Sequence, residues 1–567
     1  MTDFEEIITQ HPDVIGAKSI TYEELPPELI PYKQGISSGL AISLNVGQAT
    51  YDINLWQWHD FPNRLPKAYL SNPSDYDFHN HVNSWGEICY TDTTVPRFIN
   101  ANLPKAIIHQ CISEISEVLS TSFDRDLTPL YDEFEGYWRS LPNCFSKVDC
   151  FWNPGDTPSI IYVLERKGKP VAVIKRQEKD ALYGGLRICS QTQRVNAYYI
   201  PLKRMMLPPL PGEAATTDYL RSLLQAIPND QKKVSLKAID KILRKKGKAT
   251  QPRTGYLVFS TPRPSGEPSL FGLKIYGQSS SPVEQRADDE QWATTPLEID
   301  RHYADYLINR GGANGKCSNY KIGVVGCGAV GSRVAEFLCQ AGFQQLTLID
   351  HDTLSKDNIY RHSLGGEAIG QKKVEALAIN LQQRLPEIKP TAIALSWQQY
   401  LATNELDDFA LLVCATGEAT QMRAMNQMIL AQKAPLPIIY CWVEPDSIAG
   451  HSLLIDPTQP GCFECLVQNS AQGLFLKGSV TEPHQKISKE LYGCGSFVPF
   501  TVTDAVKTAA MTTELAVDYL LNKVPNVYKS WKGDTTHAQR SQLTLSSNSF
   551  SDSITNFKNP TCPLCKS

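Results

Sequence analysis

The chain is 567 residues long with a formal net charge of -4 and 20% charged side chains. At roughly 150 residues each that predicts three or four domains, and the acidic balance argues against nonspecific nucleic-acid binding as the main task. No apolar run reaches the roughly 20 residues of a membrane span, and the opening MTDFEEIITQ is acidic where a signal peptide is basic. The expected setting is cytoplasmic, with no membrane or nucleic-acid partner. The 15 cysteines are too scattered for a compact disulfide framework, so they are expected as core filler (Cys111, Cys189, Cys339, Cys414), metal ligands or nucleophiles.

Residues 1–145 begin with strand-like runs, Gly39–Val46 and Tyr51–Trp58, and become helical in pattern over Leu103–Leu119 and around Glu133–Arg139. Between them lies FHNHVNSWGEICY, Phe78–Tyr90. It resembles the active-site segment of ubiquitin-conjugating enzymes, H-P-N followed by G-x-I-C. His79, Asn80 and His81 occupy the tripeptide; Gly86, Ile88 and Cys89 complete the pattern. The resemblance implies an α+β domain in which Cys89 carries an acyl group. The family's asparagine, which supports the loop or the thioester oxyanion, is His81 here. Histidine still donates a hydrogen bond and, unlike asparagine, can act as a base. The plain alternative is two surface-loop histidines and a packed cysteine.

From about Ser146 short strands take over: Ser159–Glu165, a turn at Lys167–Pro170, then Val171–Lys175, a hairpin pattern. Residues 146–295 read as a mixed α/β linker domain. Its basic helical stretch Lys232–Lys248 is expected as a solvated face, and Gly277–Asp289 as a loop. The segment IDRHYADYLINRGG that follows is helical in pattern and carries Arg301 and Arg310.

Residues 296–567 contain the most specific signal. An apolar strand, Ile322–Val325, leads into Gly326, Gly328 and Gly331, then a helix ending near Gly342, then a second strand, Leu346–Ile349, ending on Asp350. Such glycines let backbone approach phosphate, and the helix N-terminus presents free N–H groups and a positive dipole. An acid about 20 residues later holds a ribose hydroxyl. NAD and ATP both satisfy this much. Asn358, Arg361 and Lys373 separate them, because a pyrophosphate leaving group needs its charge neutralised and hydride transfer does not. These residues resemble the ThiF/MoeB/ubiquitin-activating adenylation domain, whose G-x-G-x-x-G, D-x-D, N-x-x-R and G-x-x-K motifs are met by Gly326–Gly331, Asp350 with Asp352, Asn358 with Arg361, and Gly370 with Lys373. The resemblance implies a Rossmann-like fold, ATP and Mg2+, Arg361 and Lys373 on the phosphates, and an upstream arginine (Arg310 or Arg301) reaching ATP, sometimes across a dimer interface. In that family the activated group is the C-terminal carboxylate of a small β-grasp protein. One motif departs: the usual Ala-Thr-Asp is Ala415, Thr416, Gly417, Glu418 here. Glu418, five residues before Arg423, is the expected substitute for the magnesium-binding aspartate; the alternative is a solvated acid at a helix start.

Two C-x-x-C pairs, Cys462 with Cys465 and Cys562 with Cys565, have the spacing of two knuckles on one structural zinc. Cys494, between Gly493 and Gly495, occupies the position of the family's acyl-accepting thiol; a buried cysteine in a glycine turn is the alternative. An adjacent helix N-terminus would favour its thiolate, which is the form that attacks an acyl adenylate. The whole order resembles bacterial fusions of conjugating and activating domains, of which the CBASS antiphage ligase is one. That implies a homodimer joined through its adenylation domains, a CD-NTase C-terminus or ubiquitin-like protein as the activated substrate, and a lysine-bearing acceptor. The competing readings are a sulfur-carrier activator whose N-terminal half only recruits partners, an NAD-binding Rossmann oxidoreductase, and a noncatalytic scaffold.

Overall fold

The computed structural model describes residues 4–76, 79–91, 99–121, 126–175, 182–183, 186–187, 192–243, 253–277, 292–385, 387–403, 406, 408–432, 435–471, 473–483, 485, 491–492, 495–496, 498–534, 536, 542–546, 553–555 and 557–565. Two compact units emerge, 1–180 with 189–302 and 181–188 with 303–567. Cys189, Cys494, the end of the basic stretch from 244 onward and nearly all of the 277–289 loop lie outside the described residues.

The first unit begins with helix α1 (Phe4–Thr9) and an antiparallel meander of β1 (Val14–Ile20), β2 (Ile36–Val46), β3 (Ala49–Trp58) and β4 (Lys67–Leu70). Alternation along β2 and β3 turns Leu40, Ile42, Leu44, Ile53 and Leu55 to one face. Helix α2 (Pro104–Thr121) covers that face with Ile108, Cys111, Ile112, Ile115 and Leu119, a spacing of three and four that makes one apolar stripe. Two short helices follow, α3 (Thr128–Asp132) and α4 (Phe134–Arg139). Strands Gln193–Pro201, Arg253–Thr261, Ser269–Gly277, Trp292–Arg301, Ser146–Cys150, Lys169–Lys175 and Ser159–Arg166 then close a barrel in that order. The helix Asn229–Leu243 buries Ile239 and Leu243 among residues of the barrel wall, so its lysines form the solvated side of an amphipathic element.

Here the helical pattern expected around Arg301 is overturned. Ile299 and Arg301 end a strand paired in parallel with Ser146–Cys150, and the helix starts only at Ala304. The first unit therefore runs past residue 295 to 302.

The second unit is built on an eight-stranded sheet. Thr391–Ile393, Gln345–Ile349, Lys321–Val325, Leu411–Cys414 and Ile438–Val443 are parallel neighbours in that order; Ala449–Ile455, Val527–Lys532 and Ser553–Ile554 extend the sheet antiparallel. The parallel strands are near-continuous apolar runs because helices cover both faces. The helices Ala329–Gln340, Lys373–Arg384 and Val502–Asn522 bury one face, and Ala419–Leu430 lies on the other. The expected combination of an α+β N-terminal part, a mixed middle part and a Rossmann-like C-terminal part is what the chain forms. Ligands in such sheets bind outside the carboxyl ends of the strands where strand order reverses. Lys321–Val325 is that central strand, with Gln345–Ile349 on one side and Leu411–Cys414 on the other.

Candidate active sites

At the carboxyl ends of these strands lies a cavity of about 550 Å³ lined by Gly326, Gly328, Asp350, Asp352, Asn358, Arg361, Lys373 and Glu418, among others. Each glycine of the loop has a different reason to lack a side chain. Gly326 sits at φ +84°, where a Cβ would press on the Ala415–Thr416 backbone. Gly331 does not line this cavity: its Cβ would stand 1.8 Å from the Gly326 carbonyl oxygen, so it lets helix and loop approach. A Cβ on Gly328 meets nothing within 4 Å. That open space is what a phosphate at the N-terminus of helix Ala329–Gln340 requires.

The acids and cations are tied to one another. Asp350 accepts the Cys327 N–H at 2.7 Å and the Asp352 N–H at 2.8 Å, fastening the glycine loop to the second strand. Lys373, nearly buried, places Nζ 2.8 Å from Asp352 Oδ2. This hydrogen bond is the main reason the Asp352 carboxyl lies below its ordinary pKa. Arg361 donates to Asn358 Oδ1 at 3.1 Å and stacks its guanidinium 4.6 Å from the Phe500 ring centroid. Glu418 occupies the N-cap of helix Ala419–Leu430 beside Gly417 at φ +73°. Arg310, at an exposed helix end, does not line this cavity. Arg301 belongs to the other unit and is buried, its guanidinium held by Glu135 at 2.5 and 2.8 Å and by the Pro268 carbonyl at 2.6 Å. It is a packing cation of the barrel, which corrects its candidacy for ATP.

Several residues in and beside the cavity carry no motif. Phe500 closes the cavity from 139 positions beyond Arg361 in sequence; Trp397 and Gln398 both donate to Gln421 Oε1, at 2.9 and 2.8 Å, along another wall. Buried His362 accepts the Leu364 N–H at Nδ1 (3.0 Å), so Nε2 carries the hydrogen and donates to the Cys327 carbonyl at 2.8 Å. Burial is the main cause of its lowered pKa, which keeps the ring neutral in this role.

The four cysteines of the two C-x-x-C pairs converge although Cys562 lies 97 positions beyond Cys465. Their sulfurs all lie within 4.8 Å of one another, with Cys462–Cys465 at 4.0 Å, Cys462–Cys562 at 3.8 Å and Cys465–Cys565 at 3.2 Å. Tetrahedral thiolates at about 2.3 Å from zinc stand about 3.8 Å apart, so the donor set fits that ion. Arg423 grips Glu464, inside the first knuckle, with two hydrogen bonds of 2.9 and 2.7 Å.

In the first unit, the segment after His79 folds along the β4 edge. Leu70 N–H donates to the Gly86 carbonyl and Ile88 N–H to the Ala68 carbonyl, each at 2.8 Å. Gly86 at φ +84° passes too close to Leu70 and Pro73 for any side chain. Cys89 follows, exposed, with its N–H on the His81 carbonyl at 2.8 Å. Its surface access coexists with a thiol pushed up to about 11, first because surrounding protein desolvates it and then because Glu87 and Glu133 repel a thiolate more than Lys67 attracts one. His79 is buried and its ring meets Tyr51 Oη at 3.2 Å, a structural role. Asn80 donates to the Asp126 carbonyl at 3.3 Å. His81, at φ +61°, lines a cleft of about 430 Å³ bounded also by Tyr90, Glu114, Glu117 and Asp126, and its Nδ1 stands 2.6 Å from Glu133 Oε1.

Comparison with known proteins finds a match for each of the two regions that hold these residues. Residues 300–563 match the ThiF family, and residues 30–146 match Prokaryotic E2 family B. The ATP-dependent ubiquitin transferase-like protein Cap2 of Pseudomonas aeruginosa is 29% identical over 258 residues, 44% of this chain and 46% of that protein. The Vibrio cholerae protein of the same name is 24% identical over 260 residues, 43% of each. The molybdopterin-synthase adenylyltransferase of Salmonella typhimurium is 32% identical over 114 residues, 20% of this chain and 46% of that protein. The matched part of the chain thus spans about half the length of these curated relatives. One polypeptide thus carries a stretch that matches Prokaryotic E2 family B and a stretch that matches the ThiF family, an arrangement similar to the bacterial fused ubiquitin-activating and ubiquitin-conjugating-like type.

Proposed function

We propose that this chain activates the C-terminal carboxylate of a protein with ATP, takes the acyl group onto Cys494, passes it to Cys89 and joins it to an amine such as a lysine. The observation that carries the first step is the convergence of the open Gly328, the Asp350 and Asp352 carboxylates, Asn358, Arg361 and Lys373 on one cavity. Backbone N–H groups at the helix start and the two cations bind triphosphate; Arg361 and Lys373 stabilise charge as pyrophosphate leaves. Asp352 and Glu418 are the residues to hold Mg2+, which supplies further charge neutralisation on the phosphates. The four cysteines hold a structural zinc with no open position, pinning the C-terminal segment to the domain.

The relatives support adenylation and transfer as activities: Cap2 is described as ubiquitin transferase-like, and molybdopterin-synthase adenylyltransferase as an adenylyltransferase. The substrate is a CD-NTase or a ubiquitin-like protein, the setting CBASS antiphage defence in the cytoplasm, and the working form a homodimer through the adenylation domains, with Arg310 available to the partner's nucleotide. Among the described residues no helix is long and apolar enough to cross a membrane. The test is ATP–pyrophosphate exchange and thioester trapping with a CD-NTase and with a ubiquitin-like protein. Cys494→Ala should keep exchange and lose acyl transfer to Cys89; a Cys89 that still charges refutes the assignment of Cys494. Thiocarboxylate product with Cys89 dispensable would favour sulfur-carrier activation.

A further inference from the structure

Helix α4 and the residue before it bond to the Cys89 segment on one side and to the barrel on the other. Toward the Cys89 segment, Tyr137 Oη donates to the His79 carbonyl, Ser84 N–H donates to Ser140 Oγ at 3.0 Å, and Ser84 Oγ donates to the Tyr137 carbonyl at 3.2 Å. Toward the barrel, Glu135 takes both the Arg301 guanidinium and the Leu270 N–H, and buried Trp138 donates to the Leu297 carbonyl at 3.0 Å. Glu133, immediately before α4, therefore stands on a mount fixed from both sides. Its carboxylate meets His81 Nδ1 at 2.6 Å, and the carbonyl of the same histidine holds the Cys89 N–H. The carboxylate oxygen accepts, so Nδ1 carries the hydrogen, and Nε2 stands outside this ion pair on a side chain that lines the cleft.

Resting on the conjugating role proposed above, we propose that Glu133 is a positioning residue that holds His81 as an imidazolium, whose Nε2–H stabilises the oxyanion formed when an amine attacks the thioester on Cys89. The amine nitrogen bonds to the thioester carbonyl carbon while the C=O π pair moves onto oxygen, which accepts the Nε2–H hydrogen bond. The pair then returns, the C–S bond breaks, and sulfur leaves as thiolate. The proton shed by the amine ends on Cys89, and His81 keeps its own throughout. Two further observations fit. The hydrogen bond to Glu133 raises the His81 pKa, outweighing burial. The Cys89 thiol, at about 11, is basic enough to take the amine's proton. Among the described residues, the titratable and charged groups around this pair include Glu133, Glu87 beside Cys89, Lys67 and Tyr69 from β4, Glu28, Tyr137, and Glu114, Glu117 and Asp126 along the cleft.

The test uses the full chain carrying Cys494→Ala. Cys89 is loaded from a glycylglycine benzyl thioester, bypassing ATP, and discharged with hydroxylamine, an amine largely unprotonated near neutrality; intact mass follows the acyl group. With Glu133 and His81 in place, discharge relative to the free thioester should fall as pH rises through the raised His81 pKa. His81→Ala should lose roughly 100-fold, the scale of one oxyanion donor. Glu133→Gln should lose on the order of tenfold and move the fall to lower pH, because the imidazolium has lost its anion. His81→Asn, which supplies an amide donor, should recover most of the rate with no such fall. Discharge that instead rises with pH and loses that rise in His81→Asn makes His81 a base and overturns the proposal, as does Glu133→Gln within about twofold of its parent. If the parent Cys89 takes up no acyl group at all, the conjugating role falls and the dyad with it, a result distinct from a charged Cys89 that ignores the substitutions.

Discussion

Two alanine substitutions in the same glycine loop should fail for different reasons, and the difference is set by what each new methyl group meets. At Gly331 the Cβ would lie 1.8 Å from the Gly326 carbonyl oxygen and 2.9 Å from its carbon. Real Cβ contacts essentially never fall below 3.0 Å, so helix and loop must part by about 1.2 Å (3.0 less 1.8), and the obstructing atoms are backbone with no rotamer to change. Overpacking of this kind costs about 1–3 kcal/mol, and a displacement near 1 Å in a reacting geometry costs about 10²-fold in rate. At Gly328 the Cβ meets nothing within 4 Å, so Gly328→Ala should leave the thermal midpoint of the domain unchanged and weaken only the ligand that uses the open space. Thermal unfolding and calorimetric titration with Mg-ATP read the two effects separately. Gly331→Ala should lower both stability and affinity, Gly328→Ala affinity alone. A stable Gly331→Ala protein with unchanged ATP affinity, or a Gly328→Ala protein that binds ATP normally, would refute the division of labour between packing and phosphate contact.

Cys462→Ser should abolish stoichiometric zinc in elemental analysis and lower the midpoint of the C-terminal unit, since a closed structural site contributes directly to folding; retained zinc would mean other ligands hold it. Glu464→Ala removes the two-pronged partner of Arg423 and should cost about 1–2 kcal/mol in denaturant titration, the range of hydrogen bonds to charged groups. Buried Glu444 accepts from His451 Nε2 at 2.8 Å, Val480 N–H at 2.7 Å, and Thr481 N–H and Oγ1 at 2.8 and 2.6 Å. Burial alone pushes its carboxyl up, but these partners together outweigh it and the net direction is down. A depressed carboxyl stabilises the fold above its unfolded pKa, about 4.3, and that stabilisation is lost as pH falls through the folded value. The unfolding free-energy gap between the parent and Glu444→Gln should therefore be widest near neutrality and close in acid; a gap that is flat with pH refutes the assignment.

What was legible in the chain was whatever chemistry is written within a few residues. The glycine loop, Asp350, Asp352, Asn358, Arg361 and Lys373 all lie within one stretch of local order, and the structure places them around one cavity save Gly331, whose role is close packing. The two C-x-x-C pairs were each local, and only their meeting is tertiary. The residue Arg301 shows the opposite limit. Its neighbourhood carries a helical pattern, but strand pairing with Ser146–Cys150 and Ser269–Gly277 wins over local periodicity, and the cation is consumed by Glu135, 166 positions earlier. Phe500, Trp397 and Gln421 escaped because an aromatic ring or an amide has no spacing rule that ties it to a phosphate site; only the packing of the sheet brings them there.

Glu133 is the instructive case, because the sequence around it predicted a helix and the helix is present. Nothing in Glu133–Arg139 announces that successive side chains serve different partners: Glu133 the histidine beside Cys89, Glu135 the barrel arginine, Tyr137 the His79 carbonyl and Trp138 the barrel backbone. A six-residue helix is too short to be stable on its own propensity. It exists because both flanking structures hold it, and the same bonds that stabilise it transmit the barrel's position to the Cys89 loop. The barrel carries no motif of its own to read. Its legible contribution is mechanical: it fixes the carboxylate against which His81 is aligned.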